Sequence, residues 1–198
     1  MIDRNSTKAE VLEAVKQDER ALQDASEELR NDREFMMKVV MENGYSLKYA
    51  SREFQSDREV VLEALKQDGY ALGYASEELR GDREVVLVAV KQSGDALEFA
   101  SEDLKGNREV VLAAVGQTGY ALEFANEVLR NDREVVLAAV RQNWNALAYA
   151  SDELKRDHEV VLEAVKQDWR ALDYLSEELR MEIVQCWAKC MEQELKND

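Results

Sequence analysis

The chain has 198 residues, of which 45% are hydrophobic and 34% charged, a balance typical of a folded domain and too apolar for a disordered protein. Its formal net charge of -16 argues against binding to nucleic acid or to an anionic membrane surface, because both depend mainly on Lys and Arg. The sequence contains no proline, which favours unbroken helices, and no apolar run long enough to span a bilayer.

The first six residues form a polar N-terminal tail. This tail lacks the apolar core of a signal peptide. The chain has two cysteines, which is too few for a disulfide framework. We therefore expect a soluble protein in a reducing compartment, and a cytoplasmic location.

From residue 7 onward the sequence repeats every 25 residues, and seven frames without an insertion cover residues 7–181. The frames begin at Thr7, Asp32, Asp57, Asp82, Asn107, Asp132 and Asp157. All seven residues are favourable helix N-caps, so a helix is predicted to begin at position 1 of every frame. A coiled coil is excluded because the apolar spacing does not hold at seven residues.

Two helices are predicted within each frame. Positions 4, 5, 6, 8 and 9 are apolar almost throughout, an arc of about 200° that suits a helix packed between neighbouring repeats. Position 13 is Gly in four frames and is interpreted as a C-terminal glycine that ends the first helix. A second helical stretch follows, with Ser or Asn at position 20. This residue either caps a final turn that buries position 23 or lies within one continuous helix through position 24.

Departures from the repeat in the fourth to seventh frames predict a binding surface. The departures are at positions 7, 10 and 13, with tyrosines at the neighbouring position 14: Val88, Ala113, Ala138, Gly116, Trp144, Trp169, Tyr70 and Tyr120. Together they predict a shallow apolar strip with an acidic border, suited to a partner protein whose apolar segment carries Lys or Arg, with Trp and Tyr as anchors. The alternative is drift or local repacking, because single exposed apolar residues are normal.

The last segment, residues 182–198, departs from the frame and is predicted to be a C-terminal capping helix. Its apolar stripe consists of Ile183, Cys186, Trp187, Cys190 and Met191. The two cysteines are interpreted as small buried apolar residues, because no further Cys or His is near them to complete a metal site. The single histidine, His158, is interpreted as a solvated surface residue without a catalytic partner.

The repeated string D-R-E-V-V-L-x-A-V-x-Q-x-G-Y-A-L-x-Y-A-S-E-E-L-R resembles a family of tandem helical repeats known as a domain of unknown function, number four-one-one-six. The resemblance covers nearly the whole chain and is weakest over residues 7–31. It implies an α-helical array. It implies no activity, cofactor or catalytic residue.

The sequence thus predicts one all-α domain over residues 1–198, an α-solenoid of seven 25-residue two-helix repeats plus the C-terminal capping helix. We expect a non-enzymatic scaffold, monomeric and without a cofactor, that binds another protein. One alternative is a structural spacer in a larger assembly. The other is an enzyme with an unrecognised site.

Overall fold

The computed structural model describes the backbone of residues 2–194 and the side chains of residues 2–185. Each frame begins with a ten-residue α-helix, called here the long helix. The long helices are Lys8–Gln17, Arg33–Glu42, Arg58–Gln67, Arg83–Gln92, Arg108–Gln117, Arg133–Gln142 and His158–Gln167. In all seven the side chain at position 1 accepts a hydrogen bond from the backbone N–H at position 4, which confirms the predicted N-caps.

The second helical stretch of the frame is divided into two short elements, so the repeat has three helices rather than the predicted two. In repeats 2 to 7 the first element is a six-residue 3-10 helix: Gly44–Tyr49, Gly69–Tyr74, Gly94–Phe99, Gly119–Phe124, Trp144–Tyr149 and Trp169–Tyr174. Repeat 1 has the short α-helix Ala21–Asp24 instead.

The second element, called here the short helix, begins after position 20. In repeats 1 to 6 the short helices are Glu27–Arg30, Arg52–Gln55, Glu77–Arg80, Glu102–Lys105, Glu127–Arg130 and the 3-10 turn Leu154–Arg156. The hydroxyl of Ser76 and the side-chain carbonyl of Asn126 accept hydrogen bonds from the N–H groups at position 23. Of the two interpretations of position 20, the capped final turn is therefore the one observed.

The glycines at position 13 have a different role from the one predicted. None of the glycines has a positive φ, so they do not end the long helix as left-handed C-terminal residues. A Cβ at Gly69 would lie 2.5 Å from the carbonyl oxygen of Ala89 in the next repeat. At Gly69 the chain therefore passes so close to the neighbouring long helix that a side chain in this conformation would clash with it.

The array has two layers with the core between them. The long-helix layer buries positions 4, 5, 8 and 9, and the layer of 3-10 helices buries positions 15, 16 and 19. Position 6 was predicted to belong to the core, but Leu87 and Leu112 are only partly buried at its edge. Leu137, at the same position in repeat 6, is buried, so position 6 lies at the boundary between the core and the surface.

Successive repeats stack through the same contacts. Each long helix packs against the long helix of the next repeat. It also packs against the 3-10 helix of its own repeat and that of the preceding repeat. The backbone adds a bond between repeats, because the N–H at position 20 donates to the carbonyl at position 24 of the preceding repeat in four interfaces, as from Ser76 to Gln55 at 2.8 Å. The accessible surface of 11414 Å² is about a fifth larger than the roughly 9,500 Å² of a compact monomer of this mass, as a stack that grows along one axis requires.

A ladder of ion pairs joins the N-terminal ends of the long helices. The cation at position 2 of one repeat contacts an acidic residue at position 1 of the next, at position 3, or at both. Its members run from Lys8 with Asp32, through Arg33, Arg58, Arg83 and Arg108, to Arg133 with Asp157 and Glu159. The Arg133 guanidinium donates to Asp157 and lowers the pKa of that carboxyl. Each exposed pair contributes little stability, about 0.2–1 kcal/mol, so the ladder mainly fixes the register between repeats.

Ser46 is the one buried polar residue among the described side chains, and its hydroxyl has no hydrogen-bond partner there. The other six repeats have Ala at this position, which is position 15. We expect Ser46→Ala to raise the free energy of unfolding by about 1 kcal/mol, because the substitution removes a desolvated hydroxyl without leaving a cavity. Urea melts of the two proteins measure this. Ala96→Ser in repeat 4 is the reverse control, and a Ser46→Ala variant less stable than the wild type would contradict the assignment.

The C-terminal helix begins at Glu177 and continues to Glu194, so it starts five residues before the predicted boundary at residue 182. It begins where the short helix of repeat 7 belongs and merges with it. Ile183 of the predicted apolar stripe packs against the core. The side chains of Cys186, Trp187, Cys190 and Met191 lie outside the described residues.

Candidate functional site: an aromatic and acidic face

The residues of the predicted strip fall into two groups on different layers. Val88, Ala113 and Ala138 are partly buried on the long helices, packed against the core, and Gly116 is exposed beside them. The tyrosines and tryptophans of the strip belong to the layer of 3-10 helices: Tyr70, Tyr120, Trp144 and Trp169. The predicted strip therefore draws its residues from both layers, and Tyr70, Tyr120 and Trp169 in the aromatic group are exposed.

The exposed side of the 3-10 layer is called here the aromatic face. It consists of the aromatic side chains at positions 14 and 18 together with Trp144: Tyr45, Tyr49, Tyr70, Tyr74, Phe99, Tyr120, Phe124, Trp144, Tyr149 and Tyr174. A ring at position 14 meets a ring at position 18 of the following repeat, edge to face. The ring centroids are 5.0 Å apart for Tyr45 and Tyr74, 6.3 Å for Tyr70 and Phe99, and 6.2 Å for Tyr120 and Tyr149.

These pairs keep the rings in place while leaving part of each accessible. Tyr70 is 40% exposed and Tyr120 is 38% exposed. The Tyr70 hydroxyl donates to a carboxylate oxygen of Asp95 at 3.3 Å. Ordered aromatic side chains lose little conformational freedom on binding, which is the property of an interface anchor.

One end of the aromatic face holds a lysine of the chain itself. The ammonium of Lys48 lies 5.4 Å from the ring centroid of Tyr45, 5.5 Å from that of Tyr49 and 5.7 Å from that of Tyr74. The hydroxyl of Tyr74 donates to that of Tyr45 at 2.5 Å and closes the group. Burial and this hydrogen bond raise the pKa of Tyr74, so its hydroxyl stays neutral beside the ammonium.

The other end holds an arginine in a similar way. The guanidinium carbon of Arg170 lies 5.4 Å from the ring centroid of Trp144. The ring centroids of Trp144 and Tyr174 are 6.0 Å apart. Trp144 is partly buried in this cluster, whereas Trp169 is 68% exposed. Of the two tryptophans predicted as anchors, Trp169 is thus accessible and Trp144 is largely engaged with its neighbours.

Between these ends the face is acidic. In repeats 3 to 6, positions 14, 17 and 18 hold Asp95, Glu98 and Glu123 and no Lys or Arg. Burial raises the pKa of the Tyr149 hydroxyl, and the negative charge of Glu123 raises it further. Burial and Asp95 act in the same way on the pKa of Tyr70. The middle of the aromatic face therefore combines exposed π surfaces with negative charge.

The pairing of positions 14 and 18 across repeats was missed in the sequence, although both positions are visibly aromatic there. Their separation of 29 residues becomes a contact only when the stacking is known. The described residues show no group of three His, Cys, Asp or Glu side chains that would hold a metal ion. Among the helices that were described, none is long and apolar enough to cross a membrane.

The repeats match a known family model four times, over residues 11–55, 57–105, 107–155 and 145–180. The second and third matches each cover two consecutive 25-residue frames. Position 24 follows the same 50-residue period, with Arg in repeats 1, 3, 5 and 7 and with Gln or Lys in the others. No curated protein and no solved structure matches the chain. The chain belongs to the family described as a domain of unknown function, DUF4116.

Proposed function

We propose that the protein is a non-enzymatic scaffold that binds another protein through the aromatic face. The observation that carries the proposal is the composition of positions 14, 17 and 18 in repeats 3 to 6, where partly exposed tyrosines stand beside acidic side chains and no Lys or Arg occurs. A monomer leaves exposed aromatic rings in an ordered row only at some cost in hydrophobic free energy. A partner segment that carries Lys or Arg beside apolar residues matches this surface in both charge and polarity.

The repeat geometry supports an extended partner. Equivalent positions recur from one repeat to the next along a single layer, so the face is a row rather than a pocket. A segment running along the row would meet Tyr70 in repeat 3, Tyr120 in repeat 5 and Tyr174 in repeat 7.

The test is affinity capture followed by binding measurements on the partner that is recovered. The double variant Tyr70→Ala/Tyr120→Ala is expected to weaken partner binding at least tenfold, as removal of anchors does, with the fold intact by circular dichroism. Leu162→Ala is the matched control, because Leu162 is 42% exposed but lies on a long helix. This control is expected to bind as the wild type does.

Two results would count against the proposal. Equal partner affinity of the folded double variant and the wild type would exclude the aromatic face as the binding surface. If the wild type captured no protein above the level of the double variant, the structural spacer in a larger assembly would be the better function.

A further inference from the structure

We infer that Tyr120, Phe124, Tyr149 and Glu123 form a binding site for a lysine side chain of the partner protein. The inference rests on the proposed function and names the chemistry that one part of the aromatic face recognises. It is drawn from a comparison between two equivalent places in the array, one of which already holds a lysine.

The first place is the group around Lys48 in repeats 2 and 3. Lys48 is at position 17, and its ammonium lies within 6 Å of rings at position 14, position 18 and position 18 of the following repeat. An ammonium at this distance from three ring faces is attracted by their negative π surfaces. The array thus shows, in this one place, that aromatic residues at these three positions can hold an ammonium group.

The second place is the same set of positions in repeats 5 and 6. Tyr120, Phe124 and Tyr149 are the equivalents of Tyr45, Tyr49 and Tyr74. The Tyr120 and Tyr149 rings keep the edge-to-face arrangement, at an interplanar angle of 72°. No Lys or Arg from the part of the chain that the structure describes is placed over these rings.

Position 17 of repeat 5 is Glu123, an exposed carboxylate, where repeat 2 has Lys48. The charge at the group is therefore reversed, from a cation supplied by the chain to an anion that would attract one. A lysine that reached the rings would gain both the aromatic contact and an ion pair with Glu123.

The other interfaces of the face do not offer this combination. In repeat 3 the three positions are aromatic, but position 17 is Gly73, so no carboxylate accompanies the rings. Repeat 4 has Asp95 instead of a ring at position 14. In repeats 6 and 7 the chain's own Arg170 lies over Trp144.

The surroundings suit a protein segment rather than a free amine. Tyr149 also lines a shallow depression of about 400 Å³ between repeats 5 and 6. Its charged lining side chains are Glu127, Asp152, Glu153 and one arginine, Arg130. A segment whose lysine enters the ring group would place its neighbouring residues over this mainly acidic depression.

The experiment titrates the full chain with each of two short peptides. Binding is measured by the aromatic ring signals of the protein in ¹H–¹³C NMR spectra. One peptide is acetyl-Gly-Gly-Lys-Gly-Gly-amide, and the other has norleucine in place of lysine, which keeps the methylene chain and removes the charge. The lysine peptide is expected to shift the ring signals of Tyr120, Phe124 and Tyr149 in a saturable manner. The norleucine peptide is expected to shift them at least fivefold less at equal concentration.

Three variants show whether the response comes from this site. Glu123→Lys is expected to place the chain's own ammonium over the rings and abolish the response. Glu98→Lys makes the same charge change in repeat 4, where the ring group is incomplete, and is expected to keep the response within twofold. Lys48→Ala is expected to make the rings of Tyr45, Tyr49 and Tyr74 respond as well.

Equal responses to the two peptides, or a response that survives in folded Glu123→Lys, would overturn the lysine site. Measured on the captured partner, the same variant separates the two proposals. A partner lost in Tyr70→Ala/Tyr120→Ala but bound equally by Glu123→Lys and wild type would leave the scaffold in place and remove its lysine site.

Discussion

Replacement of Leu97 by alanine is expected to lower the free energy of unfolding by about 2–5 kcal/mol. Leu97 is at position 16, is fully buried, and lies in the middle of the stack between the two layers. The neighbouring repeats hold identical leucines there, Leu72 and Leu122, so the layers have little freedom to close over the cavity. Chemical denaturation of the two proteins by urea gives the difference directly.

Leu87→Ala is the control for this substitution, because it removes the same atoms from position 6 of the same repeat. Leu87 is only partly buried, so its loss exposes less apolar surface and encloses no cavity, and we expect a cost of about 1–2 kcal/mol. Equal costs for the two variants would show that position 6 belongs to the core after all.

The second large effect is expected from Gly69→Ala, which should destabilise the fold by about 1–3 kcal/mol or more. The added Cβ would lie 2.5 Å from the carbonyl oxygen of Ala89 and 3.0 Å from the Cβ of Ser93. Both atoms belong to the next long helix or to its end, so relieving the clash requires a shift between the two repeats.

Gly116→Ala is the matched control, with the opposite expected sign. Gly116 lies inside a long helix, and a Cβ there would meet nothing within 4 Å. Alanine costs less conformational entropy than glycine in a helix, so we expect a gain of about 0.5–1 kcal/mol. Thermal melts of the two variants should move in opposite directions. If Gly69→Ala were as stable as the wild type, the close approach of the repeats would be wrong.

The 25-residue frame and the start of every long helix could be predicted because they depend on local chemistry. An Asp such as Asp82 caps the helix that follows it, whatever the tertiary structure. The end of the long helix was also predicted near position 12, but for the wrong reason. Gly69 was interpreted as a glycine that ends the helix through its backbone conformation. The structure instead shows the carbonyl oxygen of Ala89, in the next repeat, close to Gly69. A contact between repeats leaves no local signal in the chain.

The difference between local signals and contacts between repeats also explains the other features that were not predicted. The 3-10 geometry was missed because the Asp and Asn residues at position 12, such as Asp68, which cap these helices, look like ordinary loop residues. The pairs of Arg58 with Asp82 and Glu84 were not predicted, because they join two repeats. For the candidate site, the exposed aromatic residues were identified from their positions, but Val88 and Ala113 were joined to them because the sequence does not tell the two layers apart.

The ion-pair ladder has a consequence for how such a chain can change its length. Every ion pair of the ladder joins the same two groups. One is a cation at position 2, and the other is an acidic residue within the first three positions of the next frame. Loss of residues 82–106 by recombination between two similar gene segments would bring Arg58 opposite Glu109, and the junction would resemble those on either side. Gain of a frame would work in the same way. The copy number of the modules can thus vary without a new interface having to evolve, and the length of the aromatic face would vary with it.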